Sequence, residues 1–128
     1  MNKKVRNATP LTFDEIKFKS KLEVYCYQKL KENNIKAVYE GQRYTLLDSF
    51  EFNGEKVRKM TYTPDFVGDT FVIECKGMAN DAFPLRWKLF KYYLYKNEVN
   101  ADIYLLRNKK HIDAAMITIK EKLDGNKR

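Results

Sequence analysis

Thr63-Pro64-Asp65-Phe66-Val67-Gly68-Asp69-Thr70-Phe71-Val72-Ile73-Glu74-Cys75-Lys76-Gly77 is the stretch whose reading decides the fold. Two extended runs flank Gly68-Asp69, and glycine at the first central position suits a type II′ hairpin. With those two residues as the loop, Val67 faces Thr70, Phe66 faces Phe71 and Asp65 faces Val72. Side chains alternate along a strand, and directly paired residues project to the same side. Asp65, Val72, Glu74 and Lys76 therefore share one face, with Asp65 and Glu74 diagonal to each other and within reach of one ion. Phe66, Phe71, Ile73 and Cys75 take the other face, the expected core side.

Two acids and a lysine in an otherwise apolar, β-rich segment are expensive to desolvate unless a cation neutralises them. A hard divalent ion does so: Mg²⁺ takes oxygen ligands, commonly one or two carboxylates with waters and substrate phosphates. Such an ion stabilises phosphate charge and lowers the pKa of a water. A neighbouring lysine can orient or help deprotonate that water, or offset charge at the phosphate. Each residue type thus has a task in phosphodiester hydrolysis.

Outward from this hairpin, the apolar residues Phe18, Leu22, Tyr25, Cys26 and Leu30 lie on one helical face, predicting a first helix over about 14–33. Thr12 to Glu15 and Ser20 to Glu23 both have capping-box spacing, so two starts compete. Strand-like residues follow from Ile35 to Leu47, then Asn53-Gly54 as a turn, then a strand over about 56–67. A second helix over about 81–97 carries Phe83, Trp87, Phe90 and Leu94, with Asp81 as cap and Pro84 in its first turn. Asp102 to Leu106 reads as a buried strand and 110–123 as a last helix. The helix between the third and fourth strands allows a parallel pairing, hence an α/β fold with a mixed sheet and helices packed on it. The expected organisation is a basic arm over 1–12, one domain over 13–124 and a charged tail over 125–128.

The 128 residues suit one domain, and a 44% hydrophobic, 14% aromatic composition excludes a disordered chain. No apolar run approaches the ~18–20 residues of a membrane span. The basic start lacks an apolar segment after it, so no secretory signal is expected. Cys26 and Cys75 form no CxxC and His111 is the only histidine. A disulfide scaffold, a cysteine zinc site and a histidine-based triad are excluded. The net charge of +8 points to a polyanionic partner, or simply to solubility.

At Pro64-Asp65 and Glu74-Cys75-Lys76 the sequence resembles the PD-(D/E)xK nuclease signature. With Phe18 to Glu23, Gln42, Tyr62 to Phe66 and Lys88-Leu89-Phe90, it is similar to small phage endonucleases of that superfamily. These are the phage endonuclease I and Holliday-junction-resolvase-like enzymes. The likeness runs over roughly 13–106. It implies a restriction-endonuclease-like αβββαβ core with a mixed central sheet flanked by helices. It also implies metal-dependent DNA cleavage with Mg²⁺, Mn²⁺ substituting, and metal ligation by Asp65, Glu74, the Cys75 carbonyl and Glu23. Lys76 is then the catalytic lysine. Gln42 and Lys88 become substrate-positioning groups, joined on the DNA-binding surface by Lys56, Arg58, Lys59, Arg86 and Lys91. A homodimer acting on duplex or branched DNA follows by the same likeness, as does an intracellular, phage- or prophage-encoded setting without a membrane.

Plainer readings stand beside these. Glu23 can be the N3 member of a capping box with Ser20, alone or as well as a ligand. Lys88, Lys91, Tyr92 and Tyr95 can be a solvated helix face, and Lys56, Arg58 and Lys59 can protect a strand edge. Two other functions compete with the nuclease: a non-catalytic nucleic-acid-binding module, and a basic phage accessory protein in which the motif is accidental.

Overall fold

The computed structural model describes residues 11–78 and 80–126, so most of the expected basic arm and the last two residues of the tail lie outside it. The architecture is mixed α/β, with three helices and a mixed sheet among the described residues. The chain divides into two compact units. One comprises residues up to Ile35, Cys75–Gly77 and those from Leu106 on; the other comprises Lys36–Glu74 and Met78–Leu105.

The first unit opens on a hairpin, β1 (Leu11–Phe13) and β2 (Ile16–Phe18), paired Leu11 to Phe18 and Phe13 to Ile16. Its loop is Asp14-Glu15, both at positive φ (53° and 64°), as a type I′ turn requires. The expected helix over 14–33 is therefore shorter: α1 spans Lys21–Glu32, and of the two competing caps the chain uses Ser20. The Thr12 spacing is coincidental, because residues 11–18 form the β1–β2 hairpin with Asp14-Glu15 as its turn. The Lys31 ammonium and the Tyr27 hydroxyl donate to the Asp14 carboxylate and hold its pKa below the ordinary value. Phe13 and Phe18 pack on the Tyr27 ring. A last helix, α3 (Lys109–Asn126), packs on α1 and is tied to it by a 2.7 Å bond from the Tyr25 hydroxyl to Asp113.

The second unit holds the strands that carry the acids. Where one strand was expected over 56–67, the chain makes three short ones, β6 (Glu55–Val57), β7 (Met60–Tyr62) and β8 (Phe66–Val67). They pair respectively with β5 (Phe50–Phe52), β4 (Tyr44–Leu47) and β3 (Val38–Tyr39), all antiparallel. Asn53-Gly54 is the β5–β6 loop, again with both φ positive. The four-stranded sheet runs β10-β9-β8-β3, with β9 at Phe71–Cys75 and β10 at Asp102–Leu106. The Asp102 N–H donates to the Thr70 carbonyl and the Lys76 N–H to that of Leu106. Pairing thus advances in the same direction on both strands, and β9–β10 is the expected parallel pair.

Helix α2 (Phe83–Lys96) lays Phe83, Trp87, Phe90 and Leu94 into a core with Tyr44, Tyr62 and Val72. Its cap is not Asp81. The Asn80 side-chain oxygen accepts from the N–H groups of Ala82 and Phe83, and Pro84 occupies the first turn.

Candidate metal and nucleic-acid site

The β8–β9 register corrects the sequence reading. Phe66 pairs with Ile73 and Val67 with Val72, and the Gly68 N–H donates to the Phe71 carbonyl. Asp69-Thr70, not Gly68-Asp69, is the loop. Moving the turn by one residue shifts every pair by two, so face assignments survive while neighbours change. Continued one step, the register sets Asp65 directly opposite Glu74 instead of diagonal to it. Gly68 is needed for space. A Cβ there would lie 2.4 Å from the Phe71 ring, which closes over the turn. On its other side the Asp65 carbonyl accepts from the Glu40 N–H at 2.7 Å, so the acid's backbone is pinned between two neighbouring strands.

The acid-bearing face is no solvated surface. All five β9 residues are buried, and Asp65 and Glu74 are only 6% and 7% exposed. The Tyr62 hydroxyl donates to Glu74 Oε1 at 2.6 Å. Burial raises the Tyr62 pKa, and the Glu74 charge, this hydrogen bond and the Asp65 charge raise it further, against a smaller opposing pull from Arg86. The phenol therefore remains a neutral donor throughout the physiological range. Arg86, within electrostatic reach of that hydroxyl, has its Nε buried with no hydrogen-bond partner among the described residues. The sequence marks Tyr62 only within the likeness over 62–66 and Arg86 only as a DNA-binding residue, and neither is placed beside the acids. The Tyr62 contact depends on the β4–β7 pairing, which no local spacing announces.

Cys75 points its thiol to the face opposite Glu74 and is buried. Lys76 is half-buried immediately after β9, with its carbonyl near the Arg107 guanidinium. Glu23 belongs to the first unit and is 5% exposed. Its Oε1 accepts from the Lys19 N–H at 2.8 Å, while the Ser20 hydroxyl accepts from its own N–H at 3.1 Å. The capping role is thus present. Among the described residues no three His, Cys, Asp or Glu side chains are grouped to hold an ion. The carboxylate set that fits a divalent cation is the Asp65–Glu74 pair, and two carboxylates match what Mg²⁺ commonly takes from protein.

The expected DNA-contacting residues separate into groups. Lys56, Arg58 and Lys59 line an open cleft of about 490 Å³ together with Arg43, Ser49 and Thr61. Gln42, expected in a strand, is exposed two residues before β4 and outside that lining, and Lys88 and Lys91 are exposed on α2. Arg43 escaped the sequence reading because it precedes β4 and joins the other three only through the hairpin. No helix among the described residues is long and apolar enough to cross a membrane.

A mixed α/β chain with a buried carboxylate pair and a separate basic cleft is what the fold and site define. Over residues 3–112 it matches the family described as "Protein of unknown function (DUF1064)", and it belongs to that family. No curated protein and no solved structure matches it.

Proposed function

We propose that the chain is a metal-dependent DNA endonuclease whose ion sits between Asp65 and Glu74. The observation that carries this reading is a pair of buried carboxylates, both within electrostatic reach of the Tyr62 hydroxyl, which donates to one of them. Two buried carboxylates in one unit offer the hard oxygen ligands that a divalent cation takes from protein. Asp65 and Glu74 would hold Mg²⁺ or Mn²⁺, and the Cys75 carbonyl, next along β9, is a further candidate for it. When bound, the ion supplies charge stabilisation at the scissile phosphate and a more acidic water. Tyr62 fixes the Glu74 carboxylate in orientation, as groups that hydrogen-bond metal ligands do. Arg86 offers its unpartnered Nε–H to an anionic oxygen, which explains a buried donor otherwise left unsatisfied. Lys76, two residues past Glu74, orients the attacking water or offsets phosphate charge. A homodimer and an intracellular phage or prophage setting accompany this reading.

Cleavage of a labelled four-way junction and of its linear arms, in Mg²⁺, Mn²⁺ or EDTA, tests it. Metal-dependent cutting should fall by roughly 10²–10⁴-fold in Lys76→Ala, with DNA affinity retained. Paired symmetric nicks in the junction alone would make the chain a resolvase. Equal cutting of both substrates would make it a general nuclease. Binding without cutting under either metal would reject catalysis in favour of a non-catalytic binding module, a reading supported by the basic cleft, which needs no metal.

A further inference from the structure

The β5–β6 ribbon has two unlike faces. Phe50 pairs with Val57 and Phe52 with Glu55, so both rings stand on one face, 47% and 60% exposed. Glu51 and Lys56 stand on the other. On that side Lys56, Arg43, Arg58 and Lys59 surround the cleft, with Ser49 and Thr61 as its neutral polar lining. Among the described residues no ion pair engages any of these four cations, not even between Lys56 and Glu51 across the strand. Burying rings would stabilise the ribbon, yet the chain presents two of them beside a tip closed by the two-residue Asn53-Gly54 turn. Cations gathered without counter-ions suit a phosphate backbone, and exposed rings suit the π-face of a base.

A continuous duplex offers phosphates everywhere but closes its base faces inside the stack. A branch point offers both at once: backbone along each arm, and the open face of the last base pair where arms diverge. We infer that the β5–β6 ribbon is a wedge for branched DNA. Its basic face lies along the phosphates of one arm, and Phe50 and Phe52 stack on the base pair exposed at the branch. The inference rests on the DNA reading above and supplies its substrate class. It is independent of the carboxylate pair, because the ribbon residues take no part in the ion site.

The test is fluorescence anisotropy in EDTA, where no cleavage intervenes. One probe is a four-way junction with loop-closed arms and 2-aminopurine beside the branch. The other is a single duplex closed by the same loops. The wild-type chain should prefer the junction by roughly tenfold or more and change the 2-aminopurine signal. Phe50→Ala/Phe52→Ala should abolish that preference and signal change, leave duplex affinity unaltered and melt as the wild type does. Lys56→Ala/Arg58→Ala/Lys59→Ala should weaken both probes and flatten the slope of log affinity against log salt by roughly 2–3. A wild type without preference, or a phenylalanine variant that keeps it, overturns the wedge while a nuclease that still cuts stands. A phenylalanine variant that changes sedimentation of the free protein and not junction binding also overturns it, since the rings would then cover a second copy. Failure to bind either DNA rejects the DNA reading and the wedge together.

Discussion

Two hairpins of the second unit share a plan and differ in solvation. β5–β6 and β8–β9 are both antiparallel pairs closed by two-residue loops, and both carry charged and aromatic residues. In β9 every side chain is buried, whereas all three residues of β5 are exposed. Charge therefore means different things in each. A carboxylate in β9 interacts strongly with its neighbours because it is buried, and the Tyr62 hydroxyl that donates to it and the nearby Asp65 charge set its chemistry. A lysine beside the cleft is screened, and it acts collectively on a polyanion. The buried hairpin is suited to holding one ion in fixed geometry, and the exposed one to meeting a large partner.

The sharpest contrast is in stability. Ile73 is fully buried, and Ile73→Ala should cost about 2–5 kcal/mol. Phe52→Ala at the ribbon tip should change stability by no more than about 0.5 kcal/mol. Urea unfolding of the two variants measures both, and equal losses would erase the distinction.

Within the buried hairpin, Tyr62→Phe removes one hydroxyl and little else. It should lower Mn²⁺ affinity by roughly 10–100-fold without shifting the melting temperature upward or changing DNA binding in EDTA. Unchanged Mn²⁺ affinity would make Tyr62 a packing residue.

The glycines of the two hairpins serve different ends. Gly68→Ala places a methyl group against the Phe71 ring and should cost about 1–3 kcal/mol. Gly54→Ala meets nothing nearby but must hold φ at +81°, and should cost about 1 kcal/mol. The double variant Gly68→Ala/Phe71→Leu should recover part of the first loss, and no second-site change in packing should recover the other. Thermal melts of the set decide.

The smallest effect belongs to the β1–β2 hairpin. Lys31 and Tyr27 keep the Asp14 carboxylate ionised below its ordinary pKa of 3.8. A lowered folded-state pKa stabilises fully above the ordinary value, and the contribution is lost as pH falls through the lowered one. Asp14→Asn should therefore melt slightly below the wild type at neutral pH, with the gap closing on acidification below about 4. A constant gap would mean that the charge is not what Asp14 contributes.

What the sequence made legible follows the range of the interaction. Alternation along β8 and β9 placed Asp65 and Glu74 on one face, and an error of one residue in the turn left that intact because it moves the register by two. The helical stripe Phe83, Trp87, Phe90 and Leu94 and the Asn53-Gly54 turn were equally readable, being local. The positive-φ turn at Asp14-Glu15 was hidden, because neither residue is a glycine and the acids there imitate a helix start. The break of 56–67 into three strands was hidden because each piece pairs with a different partner. Tyr62 against Glu74, and Arg43 beside Lys56, Arg58 and Lys59, are products of those pairings. The protein's candidate acids were visible in its sequence, and the groups that orient them were not.

The proposed ion between Asp65 and Glu74 is measured by calorimetric titration of Mn²⁺ into the wild type and Asp65→Asn, with a melt of each to confirm folding. The wild-type chain should show at least one saturable site that is lost in the folded variant. Equal Mn²⁺ binding by both, or none by the wild type in the presence of DNA, would mean that these carboxylates do not hold it.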